Sequence, residues 1–118
     1  MTTKEVANKL VELCRQNKID EAQNTLFAGN VKSIEANDMM GPKEVEGLEA
    51  LKAKSVAFQA GVEEFHSATI SDPIVGGNSF AISWTMDATF KGRGRMTIEE
   101  ICVYQVKNGK IILEQFFY

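Results

Sequence analysis

The spacing of apolar residues changes period as the chain is followed from its N-terminus. In TTKEVANKLVELCRQN, Val6, Leu10, Leu13 and Cys14 fall on one helical stripe. Thr2 and Glu5 open it at the spacing of a capping box, in which each residue's side chain satisfies the other's free backbone N–H. A second helix is predicted over IDEAQNTLFAGN, with Asp20 as its cap, Ala22, Leu26 and Phe27 on one side and Gly29 as its stop. The short β-branched stretch from Val31 to Ala36 reads as a strand, and NDMMGPKEVEG as a loop. LEALKAKSVAFQAG returns to helical spacing with Leu48, Leu51, Ser55 and Phe58, and Gly61 ends it.

After Gly61 the period is two. VEEFHSATIS is a strand that stops at Asp72-Pro73, a turn signal, with GGN close behind. SFAISWTMDATF alternates cleanly, with Phe80, Ile82, Trp84, Met86, Ala88 and Phe90 on one face and Ser83, Thr85, Asp87 and Thr89 on the other. KGRGR turns the chain and MTIEEICVYQV returns. Asn108-Gly109 then predicts a two-residue type I′ hairpin into KIILEQFFY. The expected order is helix, helix, short strand, helix and four antiparallel strands, an α+β arrangement in one domain spanning residues 1–118.

A two-residue turn at Asn108-Gly109 sets a register if both strands are regular. Lys107 then faces Lys110, and Val103, Ile101 and Glu99 face Glu114, Phe116 and Tyr118. One face carries Glu99, Ile101, Val103, Gln105, Ile112, Glu114, Phe116 and Tyr118. The other carries Ile98, Glu100, Cys102, Tyr104, Val106, Ile111, Leu113, Gln115 and Phe117. Both are too apolar to face water, so both are expected to be covered. A β-bulge would reverse the parity of part of a strand.

Composition narrows the chemistry. A chain of 118 residues with net charge −3 lacks the basic excess of a nucleic-acid or anionic-membrane surface. KGRGR is explained by a glycine-rich hairpin tip. No run approaches the length of a membrane span and no apolar leader opens the chain, so a cytoplasmic location is expected. Cys14 and Cys102 sit within apolar patterns and read as buried thiols. Two cysteines and one histidine, without CxxC or HxxxH spacing, do not make a structural zinc set, and no metal or other cofactor is expected.

Three segments carry a resemblance to a known family: IDEAQNTLFAGNVKSIEA, VEGLEALKAK and the terminal VYQVKNGKIILEQFFY. The chain resembles the nuclear transport factor two-like superfamily, and within it the SnoaL-like domains related to ketosteroid isomerase. The resemblance spans essentially the whole chain. It implies an α+β cone (cystatin-like in outline) in which a strongly curved, mostly antiparallel sheet wraps three helices around an apolar pocket. It also implies a homodimer, since such domains often pair. Counting hydrophobic residues puts the second hairpin face inside. Matching GKIILEQFFY to the family pattern puts the first inside, and that is the expectation adopted for Glu99, Ile101, Val103, Glu114, Phe116 and Tyr118 as pocket-lining residues. Phe58, Trp84 and Met86 join them as residues serving both core and pocket wall.

By the same resemblance, Glu35 falls at the position of the general base of ketosteroid isomerase, at the end of the first strand. The chemistry implied is proton abstraction beside a carbonyl. His66, the only histidine, is its expected proton-relay partner, the alternative being a hydrogen-bonded structural residue. The family's oxyanion acid corresponds to Val103, or to Cys102 if the turn slips by one, and its helix tyrosines to Val11 and Ser55, so ketosteroid isomerase activity itself is not expected. Glu99 and Glu114 lie about four positions apart, roughly 13 Å, too far to act as one carboxylate pair. Two functions remain open. One is an isomerase, cyclase or hydratase acting on an apolar carbonyl compound, with a small apolar or aromatic molecule as partner. The other is a non-catalytic ligand-binding or dimerisation module.

Overall fold

The computed structural model describes residues 1–118. It consists of α1 (Thr3–Arg15), α2 (Ile19–Leu26), β1 (Phe27–Ile34), β2 (Glu44–Glu46), α3 (Leu48–Ala60), β3 (Val62–Ile70), β4 (Ile74–Gly76), β5 (Ser79–Phe90), β6 (Gly94–Lys107) and β7 (Lys110–Phe117). The strands form one sheet in the order β2-β1-β7-β6-β5-β3, with β4 pairing the edge of β5. No helix is long and apolar enough to cross a membrane.

The first helix forms as its sequence dictates. Thr2 accepts from the Glu5 backbone N–H, and the Glu5 carboxylate accepts from the Thr2 N–H. Val6, Ala7, Leu10, Val11, Leu13 and Cys14 are buried against the sheet. The second helix is shorter than predicted. It ends at Leu26, and Lys18, not Asp20, holds the N-cap position without a side-chain bond. Phe27 belongs to β1 instead, because the chain there pairs with β7. Apolar spacing placed Phe27 on the helix face with Ala22 and Leu26, and the sheet's hydrogen bonds outweighed that pattern. The predicted loop before α3 also contains a strand, Glu44–Glu46, which pairs with β1.

The sheet is mixed rather than wholly antiparallel, because β1 runs parallel to β7. Register shifts interrupt β1, β3 and the β6–β7 ladder. Each leaves extra residues on one strand and increases local bend and twist, which is how a sheet comes to curve around helices. On its inner face Phe80, Ile82, Ala88 and Phe90 of β5 are buried together with Cys102, Tyr104 and Val106 of β6. The alternation predicted for β5 is therefore the alternation observed.

The β6–β7 hairpin turns where expected. Asn108 and Gly109 both have positive φ, 52° and 75°, as a type I′ turn requires. A Cβ on Gly109 would stand 3.1 Å from the Met1 backbone nitrogen, so the position has little room for a side chain. One step beyond the turn the register departs from the regular one. Val106 pairs with Ile111 but Gln105 pairs with Leu113, leaving Ile112 as an unpaired extra residue. From there on, the parity of β7 is reversed relative to β6.

Candidate functional site

The bulge at Ile112 decides which acids face inward. Beyond it Tyr104 pairs with Glu114, and Cys102 with Phe116. Glu114 and Phe116 therefore share the inner face with Glu100, Cys102 and Tyr104. Glu99, Ile101 and Val103 stand on the outer face, and the expectation that they line the pocket is corrected. Each assignment from the regular hairpin was right for one strand only, since neither face contained the bulge.

Parallel pairing of β1 with β7 sets Ser33 opposite Glu114. The Ser33 hydroxyl donates to Glu114 Oε1 at 2.7 Å, and both residues are buried. From α3, Lys54 Nζ donates to Ser33 Oγ and to Glu35 Oε2, each at 2.8 Å. Tyr118 donates its hydroxyl to the other Glu35 oxygen, Oε1, at 3.2 Å. The Lys54 ammonium also lies 5.0 Å from the centroid of the Phe116 ring, within reach of a cation–π attraction. One cation thus joins a buried hydroxyl–carboxyl pair to a half-buried carboxylate at the end of β1.

Glu100 completes the acidic group. It pairs with Trp84 across the β5–β6 ladder and accepts a long bond from Cys102 Sγ at 3.6 Å. Burial pushes its carboxyl up to about 7, the negative charges of Glu35 and Glu114 add to the rise, and the Cys102 bond and Lys54 oppose it. Burial likewise pushes Glu114 up to about 7, against the pull of the Ser33 hydroxyl and Lys54. Tyr118 is raised by burial and by Glu35. The Cys14 thiol is pushed up to about 12 by burial, and burial raises the Cys102 thiol too, so neither behaves as a reactive thiolate.

Of the predicted site residues, Glu35, Glu114, Phe116 and Tyr118 come together. Trp84 and Met86 lie on the same inner face, partly buried. His66 does not join them. It occupies a register shift in β3 and its Nε2 meets the Thr89 hydroxyl at 2.9 Å, on the outer face where Arg95 pairs with Asp87. It has the structural role of a hydrogen-bonded histidine, and the relay to Glu35 is corrected. Phe58 sits near the C-terminal end of α3, edge-on to Phe90 with ring centroids 5.8 Å apart.

Sequence reasoning missed Ser33, Lys54 and Glu100. A signal existed for each. Glu100 interrupts the apolar row Ile98, Cys102, Tyr104 and Val106, Ser33 alternates with Val31, and Lys54 follows Leu51 by three on the inward side of α3.

Seven hollows open on the surface, and two of them flank α3 and α1. One, of about 250 Å³, lies among α3, the 37–42 loop and the β5–β6 tip, with Phe58 in its wall. The other, of about 280 Å³ and mostly polar, lies between the end of α1 and Asp72-Pro73. Neither is lined by the acidic group.

The family model of the SnoaL-like domain matches residues 1–118. The chain belongs to the SnoaL-like family. A solved structure from Mesorhizobium loti, described provisionally as a SnoaL-like polyketide cyclase, is 38% identical, with a TM-score of 0.93 and 100% of each chain covered. TerC, crystallised with polyporic acid, is 13% identical with a TM-score of 0.76, covering 98% of this chain and 90% of its own. A Bacillus subtilis protein, provisionally an isomerase, is 15% identical with a TM-score of 0.73, covering 98% of this chain and 88% of its own. These last two share the fold. No curated protein matches the chain. As a SnoaL-like domain, the chain has the nuclear transport factor two-like, cystatin-like architecture of its neighbours, with three helices against a curved, unclosed sheet.

Proposed function

We propose that this SnoaL-like chain is a cytoplasmic small-molecule protein that binds an apolar carbonyl compound at the inner face and moves a proton on it, as an isomerase, cyclase or hydratase does. The observation that carries this reading is the placement of two carboxyl groups in different surroundings. Glu35 is ion-paired to Lys54, whereas burial holds Glu100 partly protonated near neutral pH. Such a pair divides into base and acid.

In this reading the Glu35 carboxylate takes the proton from the carbon beside the carbonyl. The C–H electron pair moves into the enolate, and the developing oxygen charge receives the Glu100 proton. Trp84 and Phe116 supply apolar wall. Lys54 and Tyr118 orient Glu35, the part first assigned to His66. The neighbouring structures with cyclase and isomerase descriptions, and TerC co-crystallised with polyporic acid, are in keeping with this class of ligand.

Deuterium exchange at the α-carbon of 2-tetralone, followed by proton NMR, tests the reading without a known product. The protein should accelerate exchange over buffer, and Glu35→Gln should lower that acceleration by about 10²–10⁴-fold while 2-tetralone still binds. Binding without acceleration in the unaltered protein would leave the non-catalytic binding module. One observation favours that second reading: both Glu35 oxygens already accept hydrogen bonds from the protein.

The outer face supports a homodimer as part of the same proposal. Ile101 and Phe117 are neighbours across the β6–β7 ladder and are 47% and 49% exposed. Sedimentation at micromolar concentration should show a dimer, and Ile101→Asp should convert it to monomer. Monomer alone for the unaltered chain would remove the proposal. A specific interface of this kind buries at least about 1,000 Å².

A further inference from the structure

The hollow among α3, the 37–42 loop and the β5–β6 tip has an apolar wall and one cation. Met39 and Met40 of the 37–42 loop, Phe58 of α3 and Phe90 of β5 supply the wall, and Arg93 of the β5–β6 tip supplies the charge. Met39, Met40 and Phe58 are exposed, so three large apolar side chains meet water in one place. Arg93 Nη2 donates to the Met39 carbonyl at 3.0 Å, which ties the hairpin tip to the loop. The remaining guanidinium donors have no protein acceptor. Arg95, two residues on, is matched by Asp87, whereas Arg93 forms no ion pair, even with Asp38 on the facing loop.

An unmatched guanidinium at the rim of an apolar hollow is complementary to an amphipathic anion, and its planar fork suits a carboxylate. Methionine side chains, unbranched and polarisable, adapt to apolar bodies of different shape. A volume of about 250 Å³ falls below the roughly 300–1,000 Å³ of drug-sized sites, so the occupant is small. Ala57, Phe58 and Gly61 follow Lys54 by three, four and seven residues, so the hollow lies along the Lys54 side of α3. It is about 5–10 Å nearer the helix C-terminus at 1.5 Å per residue. We propose that this hollow binds a small apolar monocarboxylate, its hydrocarbon body among Met39, Met40, Phe58 and Phe90 and its carboxylate on Arg93. The inference stands apart from proton transfer at Glu35.

Methionine methyl groups labelled with carbon-13 report the site directly, with octanoate and octan-1-ol as probes. Octanoate should shift the Met39 and Met40 methyls saturably while Met1 and Met96 stay in place. Arg93→Gln should weaken octanoate about tenfold, the loss of one charge-assisted contact, and leave octan-1-ol unchanged. Arg93 is exposed at a hairpin tip, and unmoved Met86 and Met96 signals will show that the variant is folded. Unmoved Met39 and Met40 methyls would overturn the proposal, as would equal weakening of acid and alcohol. Shifts that follow protein concentration without a probe would also overturn it, by showing that a second copy covers the patch.

Discussion

Glu114→Gln is expected to remove about half of a fall in stability that the unaltered protein shows between pH 5 and pH 8. The Glu114 carboxyl is pushed from an ordinary 4.5 up to about 7 in the folded chain. Above pH 4.5 the unfolded chain releases this proton while the folded chain retains it. The unfolded state therefore binds fewer protons, and stability falls as pH rises, until the folded carboxyl has also ionised near pH 7. At 1.36 kcal/mol per pH unit the span amounts to something on the order of 3 kcal/mol. That is a large share of the roughly 5–15 kcal/mol that holds a domain folded.

Several groups face Glu114 and set this behaviour. Ser33 and Lys54 favour its ionised form, Glu35 opposes it, and the raised thiols and phenol of Cys14, Cys102 and Tyr104 stay neutral around it. Glu100 rises in the same direction and keeps its own share of the slope in the variant. Urea denaturation at the two pH values measures the difference. Equal stability at pH 5 and pH 8 in the unaltered chain would show Glu114 ionised throughout, held by the Ser33 hydroxyl and the Lys54 charge.

Phe80→Ala should cost about 3–5 kcal/mol, as removal of a buried aromatic ring does. Phe80 is 2% exposed and stacks on Tyr104, with ring centroids 4.8 Å apart and planes inclined by 18°. The two residues are also cross-strand partners, so ring stacking and sheet register reinforce each other. The lost ring leaves a cavity beside Tyr104 in the core that rigid neighbours cannot fill. A fall in the thermal midpoint on the order of 10–20 °C is expected for a domain of this size. Val56→Ala, on the exposed side of α3, serves as the control and should change stability by less than about 0.5 kcal/mol. A cost for Phe80→Ala below about 1 kcal/mol would mean that the strands close over the gap.

The candidate site was legible in part. Glu35 and Glu114 were both singled out because their segments, LFAGNVKSIEA and GKIILEQFFY, match a family pattern without a gap. His66 misled for the opposite cause. A strand's two faces are set by its register with β5, and the shift at His66 turns it to Thr89 on the outer face. The signal for Lys54 was its spacing of three from Leu51, which sets it on the inward side of α3 but does not say what it meets there. Its importance comes from three neighbours that arrive from β1 and β7.

What the sequence determined by itself is local. The capping box of Thr2 and Glu5, the buried stripe of α1, the alternation along β5 and the type I′ turn at Asn108-Gly109 all follow from hydrogen bonds and side-chain spacing within a few residues. These contacts close short loops and need no distant partner. The tertiary structure decided the rest. Phe27 left the helical pattern because β7 offered its backbone a ladder, and the β1–β7 pairing joins segments some eighty residues apart. The unpaired Ile112 then turned Glu114, Phe116 and Tyr118 to the side of Glu100 and Cys102. A period of two is written in side chains, but an extra residue in a ladder is set by how two backbones meet. That meeting placed the acids around Lys54.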